Sequence, residues 1–107
     1  GMEAELTYIH GFPPLVNHGA EIARFRRIGM QLFGGERVHD MEPLMAGEDF
    51  ARYLERMPGA FLIVGAGNRE AGIVHPHHHA RFDIDERAMP IDAKLLAGMA
   101  LDALDEG

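Results

Sequence analysis

The sequence contains no cysteine, which excludes disulfide staples and thiolate zinc sites. Any metal it holds must be taken by imidazole and carboxylate groups, and a cytoplasmic setting is expected. It is also poor in positive charge, with 10 Lys and Arg against 17 Asp and Glu and a net charge of −7. Without a basic arm or patch, neither nucleic acid nor an anionic membrane surface is an expected partner. No apolar run approaches the roughly 20 residues of a membrane span, and no segment has the build of a signal peptide. There is no internal repeat. What is present is ordinary for one globular domain with a modest core: 107 residues, 47% hydrophobic and 25% charged. Gly1-Met2 reads as a cloning scar, a glycine ahead of a start methionine, and is set aside.

Hydrophobic periodicity lays out the elements. "ELTYIH" at 5–10 alternates Leu6 and Tyr8 against Thr7 and Ile9, the pattern of a half-exposed strand. Pro13-Pro14 then break regular structure, and Asn17 is placed to cap a helix. On that helix Ile22, Phe25, Ile28, Gly29, Leu32 and Phe33 share one arc, with Arg24, Arg27 and Gln31 opposite, and Gly34-Gly35 ends it. A short strand is expected at 37–41. Phe50, Tyr53, Leu54 and Met57 mark a second helix, stopped by Pro58-Gly59. "AFLIV" at 60–64 is a continuous apolar run, as in a strand buried on both faces of a parallel sheet. A glycine-containing loop follows, and Pro90 opens a last helix that is apolar nearly all round. The alternation predicts an α/β fold with a mixed, mainly parallel sheet flanked by helices.

Three stretches invite a functional reading. "GAGNREAG" follows the apolar strand, but a dinucleotide-binding fingerprint needs glycine where Glu70 stands, so it reads as a flexible turn. Glu48 and Asp49 are adjacent, so on a helix they point about 100° apart and cannot form a symmetric catalytic pair. Acids at a helix start also serve the macrodipole. The strongest candidate is "HPHHHARFDIDERAMP" at 75–90, where His75, His77, His78 and His79 crowd within five positions. Imidazole suits zinc, manganese or nickel, and a loop beyond a buried strand is where α/β proteins place sites. Asp83 and Asp85 can add oxygen ligands or orient an imidazole. Unused surface histidines, a metal carrier built from His75, His77 and His79, and an active-site corner all remain open on spacing alone.

The series "GFPPLVN", "MAGEDFARYLERMPGAFLIVGAGN" and "HARFDIDERAMPIDAKLL" resembles the zinc-type aminoacylase and carboxypeptidase metallohydrolases. The nearest branch holds hippurate hydrolase and the plant auxin-conjugate amidohydrolases. The resemblance covers most of residues 8–104, with its motifs in order. It implies that residues 3–17 end a lid domain and hinge, and that 18–107 form the C-terminal part of a metallopeptidase-like catalytic domain. It places the family's metal-binding histidine at His78, with Ala80 where the family has proline. His75, His77 and His79 are then neighbours. Glu48 lies beside the metal centre in a supporting role, and Asn17 lies near the hinge, facing substrate.

The implied reaction is hydrolysis of an N-acyl amino acid or related amide by two divalent ions, zinc, manganese or nickel, with a glutamate base. The family's other ligands and that base have no match in these residues. No catalytic residue is therefore assigned to this chain, which is expected to be inactive alone. The competing expectation is a non-catalytic metal-binding or protein-interaction module of the same descent. Either way the apolar strand and last helix leave surface to cover, and self-association into a homo-oligomer is expected.

Overall fold

The first and last helices pack against each other, with a glycine at their contact. In the computed structural model, which describes residues 1–106, helix α1 spans Gly19–Phe33, a short α2 spans Ala51–Leu54, and α3 spans Ala88–Glu106. α1 ends as its sequence predicts. Gly34 takes φ 89°, and its N–H closes on the Met30 carbonyl at 2.9 Å. Its start differs, since the capping position is His18, with no side-chain cap. α3 begins at Ala88, two residues before Pro90, so the proline sits in the first turn, where a missing donor leaves no helical bond unmade.

α3 meets α1 tightly at Gly98, where an added Cβ would lie 2.9 Å from Ile28 Cγ2. Ile28 is buried in this seam, and Ala51, Leu54, Ala88 and Leu95 complete the buried apolar set. One edge of the seam is ionic. Arg24 pairs with Glu21, Asp102 and Glu106, and Arg27 bonds Asp102. Arg24 therefore faces α3 with its side chain only 15% exposed, and does not lie on the solvent side assigned by periodicity. Asp102 receives Arg27 first and Arg24 second, which holds its carboxyl down to about 2 despite opposing desolvation.

The expected strands at 5–10, 37–41 and 60–64 pair with nothing among the described residues. The one β-type contact there is an isolated bridge between Asn68 and Ile73. Residues 60–66 nonetheless alternate like a strand, with Ala60, Leu62, Val64 and Ala66 half-buried and Phe61, Ile63 and Gly65 exposed. Of the residues 37–41 expected to extend, only Arg37 falls in a 3-10 turn, Gly35–Arg37, and Val38 after it is extended.

The surface is large for the mass. The chain exposes 9270 Å² at 11.8 kDa, whereas a compact monomer of that mass exposes about 5,900 Å². Its radius of gyration is 18.1 Å, against about 13 Å for a compact chain of this length. Leu62, Ile63 and Val64 make no backbone hydrogen bond among the described residues.

Candidate functional site

The histidine loop hangs from a tightly bonded base. At one end Asn68 exchanges two backbone hydrogen bonds with Ile73, at 2.9 and 2.8 Å, and Gly72 takes φ 76° to make the turn between them. At the other end the Asp85 N–H donates to the Ala66 carbonyl at 2.8 Å, and its carboxylate accepts Asn68 Nδ2 at 2.8 Å. The Arg87 backbone and guanidinium donate to the same carboxylate. Arg87 first, and Asn68 next, hold the Asp85 carboxyl well below the usual carboxylate range.

Between those ends the backbone bonds are local, such as Pro76 to His79 and His79 to Phe82. His78 stands out. At φ 67° it is the one non-glycine residue with positive φ among the described residues, a conformation that strains an L-residue and concentrates at functional sites. Its imidazole is exposed and makes no hydrogen bond among those residues. His75 and His79 stack, with centroids 4.2 Å apart and planes 5° apart. Their nitrogen lone pairs lie in the ring planes and run side by side, so the pair does not converge on one ion. His77 packs edge-on against Phe82, and His79 Nδ1 accepts the Arg81 N–H at 3.0 Å. A groove of about 570 Å³ runs beside the cluster, lined by Gly65, Asn68, His75, His77 and Phe82 among others.

The remaining candidates are placed as follows. Asp83 accepts the N–H of its neighbour Ile84, and Asp85 is engaged at the loop base, so neither orients an imidazole as the sequence allowed. Glu48 accepts the Phe50 N–H at 3.1 Å, at the turn into α2, while Asp49 is exposed. Asn17 does not cap α1. Its side-chain amide accepts the Phe61 N–H at 2.7 Å and donates to the Phe61 carbonyl at 3.0 Å, pinning the apolar segment like a single strand partner. His18 reinforces it, with its N–H on the Gly59 carbonyl and its Nδ1 beside the Gly59 N–H. Sequence reasoning missed Asn68 and His18. Asn68 was read only as part of a flexible turn, yet its N–H, carbonyl and both side-chain polar atoms are all bonded.

Among the described residues no three His, Asp or Glu groups converge as a metal site would require. The residues of this chain do not by themselves fit a two-metal centre. No helix among the described residues is long and apolar enough to cross a membrane.

Comparison with known proteins fits this geometry to a larger frame. A Bacillus subtilis relative bearing the amidohydrolase name YhaA is 44% identical over 101 residues, covering 94% of this chain and 26% of its own length. "IAA-amino acid hydrolase ILR1-like 6" of Arabidopsis thaliana is 35% identical, over 83% of this chain and 19% of its own. "Thermostable carboxypeptidase 2" of Saccharolobus solfataricus is 33% identical, over 94% of this chain and 25% of its own. The chain thus spans about a fifth to a quarter of the length of these curated relatives. No solved structure matches it. Residues 3–102 match the peptidase family M20/M25/M40, to which the chain belongs.

Proposed function

We propose that this chain is the C-terminal segment of a metal-dependent amidohydrolase or peptidase acting on N-acyl amino acids or related amides, and that it is inactive alone. The carrying observation is a family match over nearly the whole chain to relatives about four times its length. The family is generally metal-dependent. In this reading His78 is one ligand of a site whose other ligands and general base come from the rest of the enzyme, with zinc, manganese or nickel as the ions. Glu48 supports that site, His75, His77 and His79 are its neighbours, and Asn17 works at the hinge. The extended 60–66 segment takes its place in a mainly parallel sheet, and the enzyme works in the cytoplasm. The roughly 3,400 Å² by which the chain exceeds a compact monomer is then surface that the remainder covers.

The mass of the endogenous protein, by immunoblot or intact mass spectrometry, tests this. A product several-fold above 11.8 kDa is expected, carrying amidase activity that His78→Ala abolishes. Full turnover and metal occupancy in that variant would sink the assignment.

The same excess surface favours a second reading if the endogenous product is this size. The chain is then a non-catalytic module that self-associates through its apolar faces. Light scattering would return a dimer or larger, and a monodisperse monomer would refute that reading.

A further inference from the structure

Hydrogen bonding between residues 59 and 68 alternates from edge to edge in the manner of an extended chain. In a strand the N–H and C=O of one residue face one edge, and those of the next residue face the other. On the odd-numbered edge the Gly59 carbonyl accepts the His18 N–H at 3.1 Å, and Phe61 exchanges bonds with the Asn17 amide at 2.7 and 3.0 Å. On the even-numbered edge the Ala66 carbonyl accepts the Asp85 N–H at 2.8 Å, and Asn68 exchanges its two bonds with Ile73. Exposure keeps the same period without a break from Phe61 to Asn68, odd residues exposed and even ones half-buried. Two stretches are left open. Ala60, Leu62 and Val64 on the even edge, and Ile63, Gly65 and Gly67 on the odd edge, make no backbone hydrogen bond among the described residues. Both faces are apolar as well, with Phe61 and Ile63 on one and Leu62 and Val64 on the other.

We propose that residues 59–68 are a preformed central strand with two staggered docking edges, each taking one extended segment from the rest of the enzyme. One segment lies along Ala60–Val64 and the other along Ile63–Gly67. Asn17 and His18 close the odd edge up to Phe61, and Asp85 and Ile73 close the even edge from Ala66. Each incoming strand therefore meets a stop that fixes its register. The occupant rests on the reading of this chain as a C-terminal segment, but the staggered edges do not. A second copy of the chain is a poor occupant. An isologous pair uses the same edge of both copies and leaves the opposite edge bare, while joining even edge to odd edge leaves a free edge at each end of the stack. Area points the same way. The excess of roughly 3,400 Å² is about four times the ~800 Å² that each partner buries in a standard interface, so one self-contact leaves most of it uncovered. Relatives about four times as long have the residues to supply both strands and the cover for both faces.

The test compares residue-level hydrogen exchange in the 107-residue chain and in the full-length endogenous product. Scalar couplings across hydrogen bonds then name the acceptor of each amide. In the chain alone the Phe61 amide is expected to exchange about tenfold or more slower than those of Leu62, Ile63, Val64 and Gly65. In the full-length product those four should slow by about a hundredfold or more. The Leu62 and Val64 couplings should lead to carbonyls of one segment, and the Ile63 and Gly65 couplings to carbonyls of a second, both outside these 107 residues. Fast exchange at Leu62 and Val64 in a longer product, or one segment accepting from both edges, would overturn the inference and leave the hydrolase reading standing. Acceptors in a second copy would overturn the occupant. So would an endogenous product no larger than this chain, which would remove the C-terminal reading with it. Both strands found in a product without amidase activity would leave this inference intact and remove only the hydrolase assignment.

Discussion

Gly98→Ala sets two helix effects against each other, and the distances decide the sign. In a helix interior alanine is favoured over glycine by about 0.8–1.0 kcal/mol. Here the new Cβ would sit 2.9 Å from Ile28 Cγ2 and 3.2 Å from Leu32 Cδ1, well inside the roughly 3.5–4.0 Å of an unstrained carbon contact. Leu32 is half exposed and can swing its terminal methyl away. Ile28 cannot, because it is buried and its Cγ2 is bonded directly to Cβ, so moving it requires a new χ1 in a helix that favours one. That puts the overpacking cost toward the upper part of the usual range of about 1–3 kcal/mol, and the net change at about 1–2 kcal/mol destabilising. Urea or thermal unfolding followed by far-UV circular dichroism measures it. Gly19→Ala, where nothing lies within 4 Å, is the control and should be neutral to slightly stabilising. The cost should also shrink in an Ile28→Ala background, since the clash is lost there. A Gly98→Ala chain as stable as the parent, or the same cost in both backgrounds, would refute a seam limited by Ile28.

Other expectations follow from the ion pairs and the pinned segment. The carboxyl of Asp102 is depressed from an ordinary 3.8 to about 2, so its contribution to α1–α3 docking is fully present above about pH 4 and lost as pH falls toward 2. Asp102→Asn should lower helical stability at neutral pH and flatten that acid limb, both visible in melts across pH. Asn17→Ala removes two hydrogen bonds to Phe61 and should destabilise by about 1–2 kcal/mol. Asn17→Asp, keeping only the acceptor, should fall between, and equal losses for both would refute the two-way pairing. His78→Gly should relieve the left-handed strain and stabilise the chain by up to about 1 kcal/mol, and if the proposed hydrolase role holds, a complete enzyme carrying it should lose amidase activity. A less stable glycine variant would mean that φ at this position is not strained.

Local elements were legible because their signals are local. Gly34 ends α1 by taking the conformation that its missing Cβ permits, and Ile28, on the apolar arc that periodicity gives α1, is buried. Asp85 was legible as an acid near the histidines, but not as a hydrogen-bond partner at the base of their loop. Its partner Asn68 lies 17 residues earlier, a separation no periodicity spans. Arg24 shows the same limit. Its place on the helical wheel predicted solvent, and only the arrival of Asp102 and Glu106 from the far end of the chain makes it an inward-facing charge.

The strands are a different matter, because a strand is defined by a neighbour and a helix is not. α1 satisfies its amides within itself, so fifteen residues suffice to form it. "AFLIV" carries the composition of a buried strand and keeps the alternation of one, yet each of its amides needs a second chain segment alongside. Asn17 supplies that partner for a single residue, Phe61, using a side-chain amide in place of a peptide. Beyond it Leu62, Ile63 and Val64 stay unpaired among the described residues. Unpaired amides along an apolar segment are costly wherever water is excluded. The burial that the composition of 60–64 anticipates therefore requires further extended segments beside it, and relatives about four times as long have the residues to provide them.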